Sequence, residues 1–338
     1  MKLRPNLWLF IALTALGTNQ ILAQKKKDPV KEMMEHLSKD ELIKHLTVIA
    51  SDEMEGRKTG EAGQKMAANY IRNIYRNLEI ASLPGTEDYF QQVPSEAMKR
   101  MFSPKLNDSE NVVAYIKGSE KPDEYVVISA HYDHVGMANG EIFNGADDNG
   151  SGTTALLEMA RMFQIAHKNG KGPKRSIVFL HCTGEEYGLH GSRFFVNSKI
   201  IPLENIVADL NVDMIGRRDF IYEKSKKDYI YLVGSDKIST ELHDISEAMN
   251  KKYTKLTLDY TYDAEKHPEM IYYRSDHYNF AKFDIPVIFY YSGEHANYHK
   301  ATDTVDKIDF DQMLKRTQLI FVTAWELANR TNRIKLKQ

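Results

Sequence analysis

Acidic and histidine side chains recur where apolar segments of this chain end. They are His131, Asp147, Glu186, Asp213 and His299. Nitrogen and oxygen ligands without a thiolate suit zinc, and hydrolytic sites with two metal ions place those ions about 3.5–4 Å apart. Each residue alone is a weak signal, because solvated acids and histidines are common on protein surfaces. Their shared position at strand ends indicates a hydrolytic metal site.

The segment from His131 to His134 follows an apolar run and contains two polar residues at an interval of two. Residues i and i+2 of an extended chain lie on the same face, so His131 and Asp133 can point the same way. A metal-bound imidazole usually donates its other N–H to a carboxylate. We therefore expect Asp133 to orient His131; a pair of surface polar residues is the alternative.

Residues 144–152 form a glycine-rich stretch with two adjacent carboxylates, Asp147 and Asp148. Asp147 precedes a predicted helix, and a short carboxylate in such a loop can reach one metal ion or bridge two. The stretch also looks like a calcium loop, but its twelfth position, Glu158, falls within the predicted helix. We predict Asp147 as a metal ligand and Asp148 as a positioning residue.

Two adjacent glutamates, Glu185 and Glu186, follow the apolar segment that ends at Cys182. Adjacent side chains at a strand end must point in different directions. One of them can therefore bind a metal ion while the other accepts a proton from a metal-activated water. A pair of solvated acids is the alternative interpretation.

Two further ligand candidates follow later apolar segments. Asp213 ends one of them, and an acid is costly to bury there unless it is paired or bound to a metal. His295 and His299 are four residues apart, but Ala296 stands where the helical zinc motif H-E-x-x-H requires Glu. Because Gly293 favours a loop, we predict His299 as the ligand and His295 as a bystander.

The elements that must position these residues alternate between strands and helices. Strands are predicted over residues 111–116, 125–130, 176–182, 206–212, 229–233 and 286–291. Helices are predicted over residues 31–50, 66–74, 154–165, 239–250 and 313–327, and a coil over residues 95–108. This alternation is typical of an α/β fold with a largely parallel sheet.

Composition, net charge and the N-terminal residues indicate the class of protein and its location. The chain has 338 residues, 42% hydrophobic and 27% charged, which is ordinary for a soluble globular protein. Its net charge of −2 gives no indication of nucleic-acid binding. Lys2 and Arg4, an apolar run over residues 7–13 and a cleavage site before Gln24 have the features of an export signal.

We therefore predict a signal peptide over residues 1–23 and a single catalytic domain over residues 24–338. The mature protein would be periplasmic or secreted and would have no membrane span, since the apolar run is short for a bilayer. An uncleaved anchor is the alternative. The single cysteine, Cys182, cannot form an internal disulfide and is expected to pack as a buried apolar residue.

Five motifs in a fixed order resemble the co-catalytic zinc aminopeptidase family that includes bacterial leucyl aminopeptidases. They read His131-Tyr-Asp-His-Val-Gly, Gly145-Ala-Asp-Asp-Asn-Gly-Ser-Gly, Gly184-Glu-Glu-Tyr-Gly-Leu-His-Gly-Ser, Asp213-Met-Ile-Gly and Tyr298-His-Lys-Ala-Thr-Asp-Thr. Residues 51–57 and 274–277 are similar to that family as well, so the resemblance covers roughly residues 40–327. It implies a three-layer fold of the zinc exopeptidase type, with a mostly parallel mixed central sheet and helices on both faces.

The resemblance also implies an activity. Together with the predicted signal peptide, it points to an exported zinc-dependent exopeptidase that uses two zinc ions to remove N-terminal residues from peptides with a free N-terminus. Glu185 would act as the general base on a zinc-bound water, and Asp133 would support His131. Tyr272, Tyr273 or Arg274 would lie near the substrate.

Metal-ligand roles follow from the same resemblance. Asp147 would bridge the two zinc ions. His131 and Asp213 would complete the shell of one ion, and Glu186 and His299 that of the other. A cis peptide bond would join Asp147 to Asp148.

Other functions stay open beside this one. Glutaminyl cyclases resemble the same family and use one zinc ion, but they tend to carry Trp where this chain has Tyr298. A non-catalytic binding module on the same scaffold is a second alternative, although every expected ligand is present. Carboxypeptidase activity of the wider group also stays open. The sequence has no Gly-x-Ser-x-Gly motif, which disfavours a serine hydrolase.

Overall fold

A central sheet dominates the fold. The computed structural model describes residues 28–100, 105–264 and 267–337, so the predicted signal peptide lies outside the described residues. The strands in these ranges are β1 (Ala81–Ser82), β2 (Phe90–Val93), β3 (Ser109–Ile116), β4 (Lys121–His131), β5 (Gly136–Ala138), β6 (Glu141–Phe143), β7 (Arg175–Cys182), β8 (Ile206–Val212), β9 (Tyr229–Val233), β10 (Thr257–Asp259) and β11 (Val287–Tyr291). β5 and β6 pair as a separate antiparallel hairpin, and the other nine strands form one sheet.

The middle of this sheet is parallel. Its strand order is β1-β3-β7-β4-β8-β11-β9-β10, with β2 also paired to β3. β7, β4, β8 and β11 run in one direction, and β3 and β9 flank them as antiparallel neighbours. His131 at the end of β4 lies opposite Cys182 at the end of β7. The carboxyl ends of the four strands therefore meet at one edge, as the predicted mostly parallel mixed sheet requires.

Helices cover both faces of the sheet. They are α1 (Pro29–Glu35), α2 (Lys39–Ile49), α3 (Ala62–Asn77), α4 (Gly152–Lys168), α5 (His190–Ser198), α6 (Thr240–Met249), α7 (His277–Ala281) and α8 (Phe310–Asn329). None of the helices in the described ranges is both long and apolar enough to cross a bilayer.

One predicted helix is divided in two. The expected helix over residues 31–50 is interrupted between α1 and α2, where Ser38 caps α2 by accepting a hydrogen bond of 3.2 Å from the Glu41 amide. Serine favours this capping role over a helix interior because its hydroxyl satisfies an amide that has no partner in the first turn. The prediction of one continuous helix is therefore wrong.

The apolar side chains of the central strands alternate between two core layers. In β7, Phe179 packs in the layer that contains α4 and α8, whereas Val178 and Leu180 pack in the layer that contains Phe195 of α5 and Phe280 of α7. Successive residues of a strand point to opposite faces. Both faces of the sheet are thus covered, which confirms the predicted three-layer α/β class.

We predict that Phe163→Ala lowers the free energy of unfolding by about 3–5 kcal/mol, because it opens a cavity in the core. Phe163 of α4 is fully buried and its ring centroid lies 4.8 Å from that of Phe321 and 5.8 Å from that of Trp325. Phe220→Ala is the matched control, since Phe220 is 66% exposed. Urea unfolding of both variants measures the difference, and equal losses would contradict this packing.

Candidate metal centre

The carboxyl edge of the parallel strands gathers the polar side chains. His131 is the last residue of β4, Glu185 and Glu186 follow β7, and Asp213 follows β8. The turn before α4 brings Asp148 to the same edge. Functional groups collect at this edge in open α/β sheets because the loops that follow the parallel strands begin there.

Asparagine anchors the turn before α4 to the end of β8. The Asn149 side chain donates a hydrogen bond of 2.8 Å to the Val212 carbonyl and accepts one of 3.3 Å from the Met214 amide. It also accepts a bond of 2.9 Å from the Gly152 amide at the start of α4. These contacts fix the neighbouring Asp148 beside Asp213.

Asp148 lies between two histidines that come from distant segments. Its Oδ1 is 3.3 Å from Nε2 of His131, and its Oδ2 is 2.9 Å from Nε2 of His299. Nε2 of His299 also lies 3.1 Å from Oε2 of Glu186. One carboxylate thus faces both halves of the site, which is the position that a ligand shared by two metal ions would occupy.

Asp147, which the sequence predicts as the shared ligand, points elsewhere. Its Oδ1 accepts a hydrogen bond of 2.6 Å from the Gly216 amide, and its Oδ2 is 3.2 Å from Nε2 of His295. A Cβ at Gly216 would lie 2.8 Å from this carboxylate, so the contact depends on glycine. The prediction of Asp147 as the bridging ligand is therefore wrong, and Asp148 has the predicted geometry.

The cis peptide bond also lies one residue later than predicted. It joins Asp148 to Asn149, whereas the prediction placed it between Asp147 and Asp148.

Two further side chains contact this turn. The predicted bystander, His295, contacts Asp147 and not Asp148. Asp303 accepts hydrogen bonds from the backbone amides of both aspartates.

Two overlapping groups of donor atoms meet at His131. Single atoms of His131, Asp148 and Glu186 lie within 4.8 Å of one another, and so do single atoms of His131, Glu185 and Asp213. Asp213 is 3.3 Å from Nε2 of His131, and Oε2 of Glu185 is 3.9 Å from the same nitrogen. The structure therefore brings together four of the five predicted ligands, His131, Glu186, Asp213 and His299, with Glu185 beside them.

Hydrogen bonds to neighbouring side chains hold these donors in place. Ser275 donates a bond of 2.7 Å to Oδ2 of Asp213. Nδ1 of His134 lies 2.6 Å from Oε1 of Glu186. Such outer contacts fix the orientation of the groups that bind a metal.

Asp133 supports the site in a different way from the one predicted. Nδ1 of His131 donates to the backbone carbonyl of Asp133 at 3.1 Å, whereas the Asp133 carboxylate is 3.8 Å away. That carboxylate accepts bonds from the Thr59 hydroxyl at 2.6 Å and from the Glu185 amide at 3.2 Å. Asp133 therefore connects the end of β4 to the turn that carries Glu185.

The donor set fits zinc. Burial opposes ionisation of Asp148, but hydrogen bonds to His131 and His299 hold the pKa of its carboxyl well below the ordinary value. Burial raises the pKa of Glu185 well above its ordinary value, and the negative charges of Glu186 and Asp213 act in the same direction. Carboxylates crowded in this way favour a bound cation. The donors are nitrogen and oxygen atoms, and Cys182 packs in the apolar layer instead.

A buried arginine holds together backbone segments next to the site, and no role was predicted for it from the sequence. The fully buried guanidinium of Arg57 donates to the carbonyls of Ile49, Tyr132, Asn144 and Gly145 at 2.6–2.8 Å. The carbonyls of Tyr132, Asn144 and Gly145 belong to irregular segments and that of Ile49 to the last turn of α2, and buried carbonyls at such places need side-chain partners. The position of Arg57 in the motif over residues 51–57 was its one sequence signal.

Residues predicted to lie near the substrate divide into two groups. Tyr273 and Arg274 line a cavity together with Glu185 and Glu186. Tyr272 instead lines a different cavity, which none of the metal-ligand candidates touches. Tyr298, which the sequence did not place near the substrate, lines the same cavity as Arg274, and its ring stacks on His299 with centroids 3.9 Å apart.

Comparisons with known proteins give a family match and several relatives. A family model described as Peptidase family M28 matches residues 111–324. Leucine aminopeptidase 1 of Ajellomyces dermatitidis is 28% identical over 306 residues, which cover 88% of this chain and 74% of that protein. A probable glutamate carboxypeptidase, AMP1, of Arabidopsis thaliana is 37% identical over 110 residues, which cover 32% of this chain and 15% of the plant protein.

Solved structures share the fold. The LapA aminopeptidase of Legionella pneumophila superposes with a TM-score of 0.69 at 22% identity, covering 91% of this chain and 76% of that one. BSAP, a zinc aminopeptidase from Bacillus subtilis, gives a TM-score of 0.66 at 17% identity, covering 88% of this chain and 97% of that one.

We predict that Asp148→Asn and Asp147→Asn differ in zinc binding. Asp148→Asn removes a charge that faces both His131 and His299, so it should lower the zinc content of the dialysed protein and the thermal stabilisation that added zinc produces. Asp147→Asn should retain zinc, because Asp147 faces Gly216 and His295 instead. Elemental analysis and thermal melts measure both effects, and the opposite ranking would restore Asp147 as the ligand.

Proposed function

Because the chain belongs to peptidase family M28, we propose that it is a zinc aminopeptidase that hydrolyses the first peptide bond of peptides with a free N-terminus. The observation that carries this proposal is the meeting of separate strand ends at one cluster. Its members are His131, Asp148, Glu186, Asp213 and His299, with Glu185 beside them. Relatives named as leucine aminopeptidases point to the same activity.

The proposed ligand arrangement uses two zinc positions. His131 and Asp213 would hold one ion, Glu186 and His299 the other, and Asp148 faces both pairs through its two oxygens. A pair of zinc ions in such a site supplies an activated water and polarises the scissile carbonyl.

Glu185 is the proposed general base. Its carboxylate lies in the group with His131 and Asp213 and borders the two cavities that open beside the cluster. From there it can accept a proton from the attacking water and donate it to the departing amine. The bond from its amide to Asp133 holds the turn that presents the carboxylate.

A small cavity next to Glu185 and Asp213 is the proposed site for the first side chain of the substrate. Its volume is about 40 Å³, and its wall combines the apolar side chains of Met214, Ile271 and Phe289 with polar groups that include Arg274. The apolar part of such a wall favours an aliphatic side chain over a charged one. Aliphatic N-terminal residues are therefore the proposed preference.

The purified protein should contain two zinc ions per chain and release the anilide from aminoacyl anilides such as leucyl anilide. Glu185→Gln should keep the zinc content and lower kcat about 10²- to 10⁴-fold, because it removes the proton acceptor without removing a proposed ligand. A panel of anilides and N-terminal Gln peptides, run with elemental analysis, measures both quantities.

Each rival function gives a different result in this panel. One zinc ion with cyclisation of N-terminal Gln would indicate a glutaminyl cyclase. Failure of the zinc-loaded protein to turn over any substrate would indicate a binding module. Near wild-type turnover by Glu185→Gln would remove Glu185 from the proposed mechanism.

We also propose that the protein is exported and that cleavage leaves Gln24 as its first residue. The supporting features are Lys2, Arg4 and the apolar run over residues 7–13, which lie outside the described residues. N-terminal sequencing of the protein made by its native host should begin at Gln24, and a mature chain that begins at Met1 would contradict this proposal.

A further inference from the structure

A second, larger cleft opens beside the metal centre and carries positive charge. Its volume is about 350 Å³, near the lower end of the roughly 300–1,000 Å³ that is typical of ligand pockets. Glu185 and His299 border it, so it is continuous with the proposed reaction site. Arg100, Arg274 and Lys282 supply cationic groups to the same walls.

Two of these cations have no acidic partner among the residues that the structure describes. Arg274 pairs with Glu294, at 2.9 Å between Nη1 and Oε1. Neither Arg100 nor Lys282 forms an ion pair with any acid in the described ranges. Burial lowers the pKa of Lys282, and the positive charges of Arg100 and Arg193 lower it further. The cleft therefore concentrates positive charge that an anion would offset.

Local contacts hold both cations at the cleft. The Arg100 guanidinium lies against Gly188, where an added Cβ would come within 2.2 Å of Nη1. The Lys282 ammonium lies 4.5 Å from the centroid of the Tyr278 ring and donates a bond of 2.9 Å to Oδ1 of Asn279. Glycine and tyrosine thus shape this wall, and neither contact serves the metal-ligand cluster.

On the basis of the proposed aminopeptidase function, we propose that this cleft binds a carboxylate on the residue that follows the scissile bond. The small cavity would take the first residue, and Glu185 borders both spaces, so the departing residue would enter the larger cleft. Arginine and lysine bind carboxylates through charge-assisted hydrogen bonds. The substrate class is then short peptides whose second residue is C-terminal or is Asp or Glu.

Four dipeptides, tested as substrates of the zinc-loaded protein, separate the effect of a carboxylate charge from that of residue size. They also distinguish a terminal carboxylate from a side-chain carboxylate. Leu-Ala with a free carboxylate is compared with Leu-Ala amide, and Leu-Glu amide with Leu-Gln amide. We expect the charged member of at least one pair to have a kcat/KM about 10- to 100-fold higher, mainly through KM. The first pair reports on the terminal carboxylate and the second on the side-chain carboxylate.

Variants test whether the cleft causes this preference. In the double variant Arg100→Gln, Lys282→Gln, the ratio of kcat/KM between acid and amide should fall to about one. Lys251→Gln, an exposed lysine outside the cleft, is the matched control and should keep the wild-type ratio. A wild-type ratio within twofold of one for both pairs, or an unchanged ratio in the double variant, overturns the inference.

The outcome also separates this inference from the proposed function. Hydrolysis of the amides without a preference for the acids overturns the inference alone. Absence of hydrolysis of all four substrates counts against the proposed function, and calorimetric titration with L-glutamate and with L-glutamine amide, which has no carboxylate, then tests the cleft directly. Tighter binding of glutamate that the double variant abolishes supports the cleft, and equal or undetectable binding of both ligands overturns it.

Discussion

Crowding of buried carboxylates at one edge of the sheet is the constraint on which this structure depends. Asp148, Glu185, Glu186 and Asp213 converge on His131, at a place where solvent reaches little of them. Buried charges are tolerated only when their partners compensate for the lost free energy of hydration. The imidazoles supply part of that compensation, and the set of oxygen and nitrogen donors favours a bound cation for the rest.

The surrounding scaffold immobilises the loops that carry these charges. Arg57 joins four carbonyls of segments around the turn before α4, and Arg316 joins the carbonyls of Ile215, Arg217 and Tyr229 at 2.6–2.9 Å. Both guanidiniums are fully buried. Irregular backbone at a buried site leaves carbonyls that strands and helices cannot satisfy, and a guanidinium can satisfy several at once. These bonds hold the segment that precedes Asp148 and the segment that follows Asp213.

The two spaces beside Glu185 differ in chemistry. One is small and has Met214, Ile271 and Phe289 in its wall, whereas the other is wider and bordered by Arg100 and Lys282. An enzyme that cleaves a peptide bound across two such spaces would be selective for the residues on both sides of the scissile bond. Its selectivity would then come from side chains that lie outside the metal centre, so relatives with the same centre could act on different peptides.

The sequence by itself determined the elements and most of the donors. Continuous apolar runs predicted β8 and β9 with the observed bounds, and the residues after the buried strands supplied His131, Glu186 and Asp213. The family resemblance carried by the five motifs is confirmed by the match to the peptidase family over residues 111–324. These features are local, because strand formation and donor chemistry depend on neighbouring residue types.

Only the tertiary structure decided which aspartate faces the cluster. Asp147 and Asp148 are identical in type and adjacent, so no local pattern distinguishes them. Their orientations come from bonds between the turn and distant residues, through Asn149 to Val212 and through Asp147 to Gly216. Arg100 and Lys282 likewise meet across 182 residues of sequence. Contacts of this range arise only when the chain folds, which is why the sequence predicted the ligands' chemistry better than their geometry.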